Sequence, residues 1–167
     1  MSLRIKGSAF VRLLLTLALS VPAIGPSDGA GRAGSDLAVD HWIAVKTPTG
    51  DTILAELADT AEKRTQGLMY RSTLARDHGM LFHFGESGFW AIWMKNTRIP
   101  LDILWLDDTK TIVHLERNVP ICTRADGGCP SYRPTQRAAY VLELAAGVAD
   151  QLKLDRSVKL HFALPSS

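Results

Sequence analysis

From residue 41 onward the chain is built of short apolar runs separated by turn residues, with little helical periodicity. His41–Thr47 and Asp51–Ala58 are rich in apolar and β-branched side chains, and Thr47-Pro48-Thr49-Gly50 between them is a hairpin connection. Met80–Phe84, Phe89–Met94, Leu101–Leu106 and Thr111–Arg117 read as further strands, with Asp107-Asp108-Thr109-Lys110 as the turn joining the last two. Ala139–Leu144 and Val158–Phe162 complete the set. Phe89–Met94 carries no polar alternation, which predicts a central strand covered on both faces. Thr111–Arg117 and Ala139–Leu144 alternate as half-exposed strands do. A short helix is expected where Asp59 caps and Glu62 completes a capping box, ending near Gly67. A second helical turn is expected over Ala149–Leu152, opened by Gly147. The expected fold class is mainly β: a compact jelly-roll-like sandwich or small barrel of about eight short strands with one or two short helices. No period of 20–50 residues recurs, which excludes a repeat array.

The N-terminus follows a different pattern. Arg4, Lys6 and Arg12 precede the apolar run Leu13–Leu19, and Val21-Pro22-Ala23 offers small residues for cleavage, so residues 1–23 read as a secretory signal peptide. The run is short for a bilayer span, which needs ~20 residues; if uncleaved, it would act as an anchor. Residues 24–38 are mostly small, polar and Gly-rich, the composition of a flexible leader. Gly29-Ala-Gly31-Arg-Ala-Gly34 matches a dinucleotide fingerprint in letters only, since no strand precedes it. Residues 39–165 then form a single β-rich domain. The expected location is the periplasm or the exterior, with no stable transmembrane segment once the signal is cleaved.

Charge narrows the partners. The chain has 19 Lys and Arg against 17 Asp and Glu, and loss of residues 1–23 leaves 16 against 17. A nucleic-acid binder carries a basic excess into its folded part, so no nucleic-acid partner is expected. Cys122 and Cys129 bracket Thr-Arg-Ala-Asp-Gly-Gly, and in an exported chain they are read as a disulfide staple. A redox pair would have two intervening residues, and a zinc site would need two more ligands.

The densest polar segment is Trp93-Met94-Lys95-Asn96-Thr97-Arg98-Ile99-Pro100-Leu101-Asp102. Pro100 fixes its own φ and restricts Ile99, so the connection should be stiff, and stiff polar loops on apolar scaffolds favour binding sites. The alternative is that Asn96 and Asp102 merely hydrogen-bond their own turn. His78, His83 and Glu86 are near one another but lack a ligand spacing, so no metal and no cofactor are expected. Gly85-Glu86-Ser87-Gly88 falls short of a nucleophile elbow. Trp42, Trp90, Trp93 and Trp105 either form a stacking surface or pack in the core, the default for strand aromatics.

Several blocks together resemble one family. Glu62 with Gly67-Leu68-Met69-Tyr70-Arg71, then Gly79-Met80-Leu81-Phe82, then Trp93–Thr97 and Ile99–Asp102 follow its order, as do Cys129–Tyr132 and Tyr140–Gly147. The chain is identified as a member of domain-of-unknown-function family 192, uncharacterised and often exported bacterial and archaeal proteins. The resemblance implies a compact β-rich, jelly-roll-like domain and supplies no activity. Arg71, just past the helix, is expected to pair with Asp102 or Glu143, or to meet an anionic ligand. Glu143 is expected to face solvent.

The function expected is non-catalytic binding of a small polar or anionic ligand or an envelope protein. The candidate site is Arg71, Lys95, Asn96 and Asp102, with Met69, Trp93 and Met94 as apolar walls. The alternative is an envelope glycan or peptide hydrolase using Asp102 and Glu143 as a carboxylate pair.

Overall fold

Turn chemistry closes the first hairpin. The Thr47 N–H donates to the Asp51 carbonyl at 2.9 Å, and Gly50, at φ +94°, occupies the left-handed position the turn requires. The computed structural model describes residues 41–124 and 128–166. Its elements run β1 (Trp42–Lys46), β2 (Thr52–Ala58), α1 (Ala61–Gln66), β3 (His78–Gly88), β4 (Ile92–Trp93), β5 (Leu101–Leu106), β6 (Ile112–Val119), β7 (Ser131–Tyr132), β8 (Ala138–Ala145) and α2 (Val148–Gln151). Six strands form one sheet in the order β1-β2-β3-β8-β5-β6, and β4 pairs with β7 in a small second sheet. The protein is therefore mainly β, as its pattern predicts, and no closed barrel forms. Neighbours are antiparallel except β2 and β3, which run parallel. A parallel pair needs a crossover, and α1 with residues 67–77 provides it.

Both faces of the sheet are covered. All six residues of β5 are buried. Leu104 and Leu106 join Leu81, Leu142 and Leu144 in one core, which also takes Val148 and Ala149 of α2 with Leu154 and Leu160. Leu101, Ile103 and Trp105 alternate to the other face, where they meet Met80, Phe82 and Val141 under Leu68, Ile92, Met94 and Ile99. The Trp105 indole donates to the Trp90 carbonyl at 2.8 Å, so its one polar atom is satisfied in the core.

Four local expectations change. Phe89–Met94 is not a central strand: only Ile92–Trp93 pairs, and Phe89 and Trp93 are 51% and 46% exposed. Ile92 and Met94 point inward while the aromatic residue between them points out, so an unbroken apolar run conceals a one-sided strand. Val158–Phe162 makes isolated bridges, Lys46 with His161 and Thr111 with Lys159. It ties the end of β1 to the start of β6 and runs along neither. Thr60, not Asp59, caps α1, accepting from the Lys63 N–H at 3.2 Å. Ala138–Ala145 is buried at six of its eight positions, so β8 is no half-exposed strand. The expected signal peptide and leader lie outside the described residues; among the described residues no helix is long and apolar enough to cross a membrane.

Close packing of β3 on β8 has a sharp dependence on Gly79. A Cβ there would lie 2.6 Å from the Glu143 carbonyl oxygen and 2.9 Å from Leu144 Cδ2. Gly79→Ala must push the two strands apart, and we expect a loss of about 1–3 kcal/mol, read as a lower midpoint in urea unfolding. An unchanged midpoint would contradict this packing.

Candidate functional site

Two loops lock together at one end of the sheet. α1 stops at Gly67, whose φ of +48° turns the chain away from the helix, and buried Leu68 pins the segment that follows. The Tyr70 N–H donates to the Asn96 carbonyl at 2.8 Å, and the Asn96 Nδ2 donates back to the Tyr70 hydroxyl at 2.8 Å. Both residues sit in the left-handed region, at φ +65° for Tyr70 and +56° for Asn96. Asn tolerates that conformation; Tyr does so at a cost on the order of 1 kcal/mol. Buried Met94 holds the other loop, and the Thr97 N–H closes its turn on the Met94 carbonyl at 3.3 Å. The stiffness expected of this connection comes from that clasp as well as from Pro100.

Beside the clasp lies a cleft of about 330 Å³. Tyr70 and residues 95–98 form one wall; Ile121, Arg124 and the Cys122–Cys129 disulfide form the other. Lys95, Arg98 and Arg124 line it, and none of the described lining residues is acidic. Two of these cations lie over aromatic rings: Lys95 Nζ is 5.0 Å from the Trp93 ring centre, and Arg98 Cζ is 5.8 Å from that of Tyr70. Such contacts are worth roughly 0.5–1 kcal/mol at exposed sites and restrict where the charge can go.

The sequence-predicted residues divide. Lys95 and Asn96 line the cleft. Trp93 and Met69 line a smaller recess that Lys95 and Thr97 also border, and Met94 is buried in the core behind it. Arg71 meets neither Asp102 nor Glu143: its guanidinium takes both oxygens of Glu56 on β2 in a two-pronged pair. Asp102 is fully buried, and its carboxylate accepts from the Asn118 and Ala149 N–H groups, each at 2.8 Å. That arrangement ties β6 and α2 to the middle of the sheet and leaves Asp102 away from the cleft. Tyr70, Arg98 and Arg124 did not stand out as site residues in the sequence; Tyr70 was visible only as a neighbour of Arg71.

Glu143 departs furthest from expectation. It is 4% exposed, between Met80 of β3 and Ile103 of β5 in register, on the face opposite Asp102. Val141 and Glu143 share a face, and that face is covered. Burial pushes the Glu143 carboxyl up to about 8. Because Asp102 and Glu143 leave the sheet on opposite faces, they share no cleft, and the arrangement offers no paired acid and base. Among the described residues no three His, Cys, Asp or Glu side chains converge. His78 contacts Asp77 and Trp42, and His83 stacks on Tyr140.

The chain belongs to domain-of-unknown-function family 192, described as "Uncharacterized ACR", whose family profile matches residues 44–162. No curated protein matches it. A crystal structure from Sinorhizobium meliloti 1021, described as "a putative transcription regulator", is 37% identical, with a TM-score of 0.63 over 72% of this chain and 92% of that one. A protein of unknown function from Novosphingobium aromaticivorans DSM 12444 is 25% identical, with a TM-score of 0.64 over 73% of this chain and 84% of that one.

Two outcomes follow from the carboxylates. Asp102→Ala strands two amides, at about 1–3 kcal/mol each, so urea unfolding should show a large loss, whereas Asn96→Ala should cost far less; equal losses would contradict the division drawn here. The native Glu143 carboxyl binds its proton more tightly than the unfolded chain's, which titrates near 4.5. Its contribution to stability is therefore greatest below that value, falls as pH rises, and levels off near 8. Glu143→Gln should remove this slope, so that unfolding free energies of variant and wild type diverge in the variant's favour between those limits.

Proposed function

We propose that this protein is a non-catalytic binding module for a small anionic ligand, held in the cleft between the Tyr70–Asn96 clasp and the disulfide loop. The observation that carries the reading is the set of three cations around that cleft with no acidic side chain among its described lining residues. Neither Lys95 nor Arg98 forms an ion pair with a described residue, and both are steadied on aromatic rings, so an incoming anion meets charge already in place. The cleft volume is that of a small-molecule site. Export is part of the reading, supported by the character of residues 1–23 and by the disulfide. An envelope protein presenting an acidic group is the macromolecular form of the same ligand chemistry.

Hydrolysis by Asp102 and Glu143 is disfavoured by their opposite faces. The description of the Sinorhizobium protein raises nucleic acid as a partner. The nearly balanced charge of residues 24–167 and the small size of the cleft argue for a compact anion instead.

Isothermal titration with inorganic phosphate and pyrophosphate tests the reading. Pyrophosphate should bind, weaken with added salt, and lose roughly tenfold or more in affinity on Lys95→Ala or Arg98→Ala, since hydrogen bonds to charged groups are worth about 1.5–3 kcal/mol. Absence of binding, or binding unaffected by both substitutions, overturns the assignment.

A further inference from the structure

On the far side of the Lys95–Thr97 turn is the smaller recess, of about 20 Å³. Its lining includes two cations, Arg64 of α1, whose guanidinium also donates to the Asp59 and His83 carbonyls, and Lys95 from the turn, together with Leu68, Phe82 and Ile92. Glu143 lines it, nine-tenths buried or more. The Glu143 side chain makes no hydrogen bond or ion pair with any described residue, and no fully enclosed side-chain oxygen among those residues lacks a partner, so its carboxyl opens onto the recess. The other buried carboxylate among the described residues, Asp102 on the opposite face, holds two amides.

We infer that Glu143 is the floor of a hydroxyl-binding subsite, and that the ligand is a hydroxylated anion whose charged group rests on Lys95 while a hydroxyl enters the recess. The inference rests on the anion-binding reading of the adjoining cleft, since Lys95 and Thr97 line both spaces. Three observations select this chemistry. A water-sized space needs ~10–15 Å³ on this measure, so the recess admits a group of one or two heavy atoms. Arg64 and Lys95 both line it, and their like charge opposes an ammonium group there. A carboxyl that burial keeps protonated at neutral pH both donates and accepts, as a hydroxyl does.

Titration calorimetry with glycerol 3-phosphate and n-propyl phosphate separates the two levels of the argument. The probes share their anionic group and differ in hydroxyls. Wild type should favour glycerol 3-phosphate by ~5-fold, the worth of one buried hydrogen bond. Glu143→Leu should abolish the preference and leave n-propyl phosphate affinity unchanged, while Glu143→Gln keeps a donor and an acceptor and should retain it. In the wild type, the ¹³Cδ resonance of Glu143 should shift with glycerol 3-phosphate and not with n-propyl phosphate, a readout that survives any folding defect of the variants. Equal binding of both probes, weakened alike by Lys95→Ala, overturns the Glu143 subsite and leaves the cleft standing. Binding of neither probe overturns both.

Discussion

Strands β5 and β8 lie side by side in the middle of the sheet with a core on each face, and neither has a side to give to solvent. Every polar group they carry must therefore be satisfied inside the protein or held there uncharged. Asp102 and Glu143 are the two outcomes of that constraint. Asp102 takes two amide donors, and in doing so joins β6 and α2 to the central strand. Glu143 has no donor among the described residues, and burial pushes its carboxyl up to about 8, toward the uncharged form. One face of the sheet is thus closed by a polar tie. The other is covered by the crossover from β2 to β3 and by the turn after β4, which is where the cleft lies.

The clasp between Tyr70 and Asn96 transmits this order to the surface. Its backbone half joins two connections that the chain separates by 26 residues, and its side-chain half fixes the tyrosine ring over which Arg98 lies. Leu68 and Met94, both in the core, set the depth of the two loops. The cations of the cleft therefore sit close in sequence to buried neighbours that anchor their loops.

The β character of the chain was legible because turn residues punctuate it clearly: Pro48-Thr49-Gly50 and Asp107–Lys110 each close a hairpin that forms. Phe89–Met94 was misread because apolar composition does not distinguish a strand covered on both faces from one that exposes its tryptophan. Glu143 was misread because a glutamate among apolar residues suggests a solvated side, and β8 has none. Arg71 was visible as a candidate, yet its partner Glu56 lies fifteen residues upstream on a strand that only the parallel crossover brings near. Lys95 and Asn96, which line the cleft, are conspicuous in the sequence because they crowd one short connection. Arg124 comes to them through the path of the disulfide loop, a long-range relation that no local pattern encodes.

That loop gives the cleft a property the rest of the domain lacks. Cys122 and Cys129, seven positions apart, are both the ends of a covalent ring and part of the wall of the cleft. None of residues 121–124 or 128–130 is fully buried, and of them only Cys122 packs against a core. The two cores, the sheet and the Asp102 tie are built without the disulfide, whereas this wall of the cleft contains it. The sheet and the cleft thus answer to different chemistries: hydrophobic burial completes the sheet, and a sulfur–sulfur bond completes the wall of the cleft.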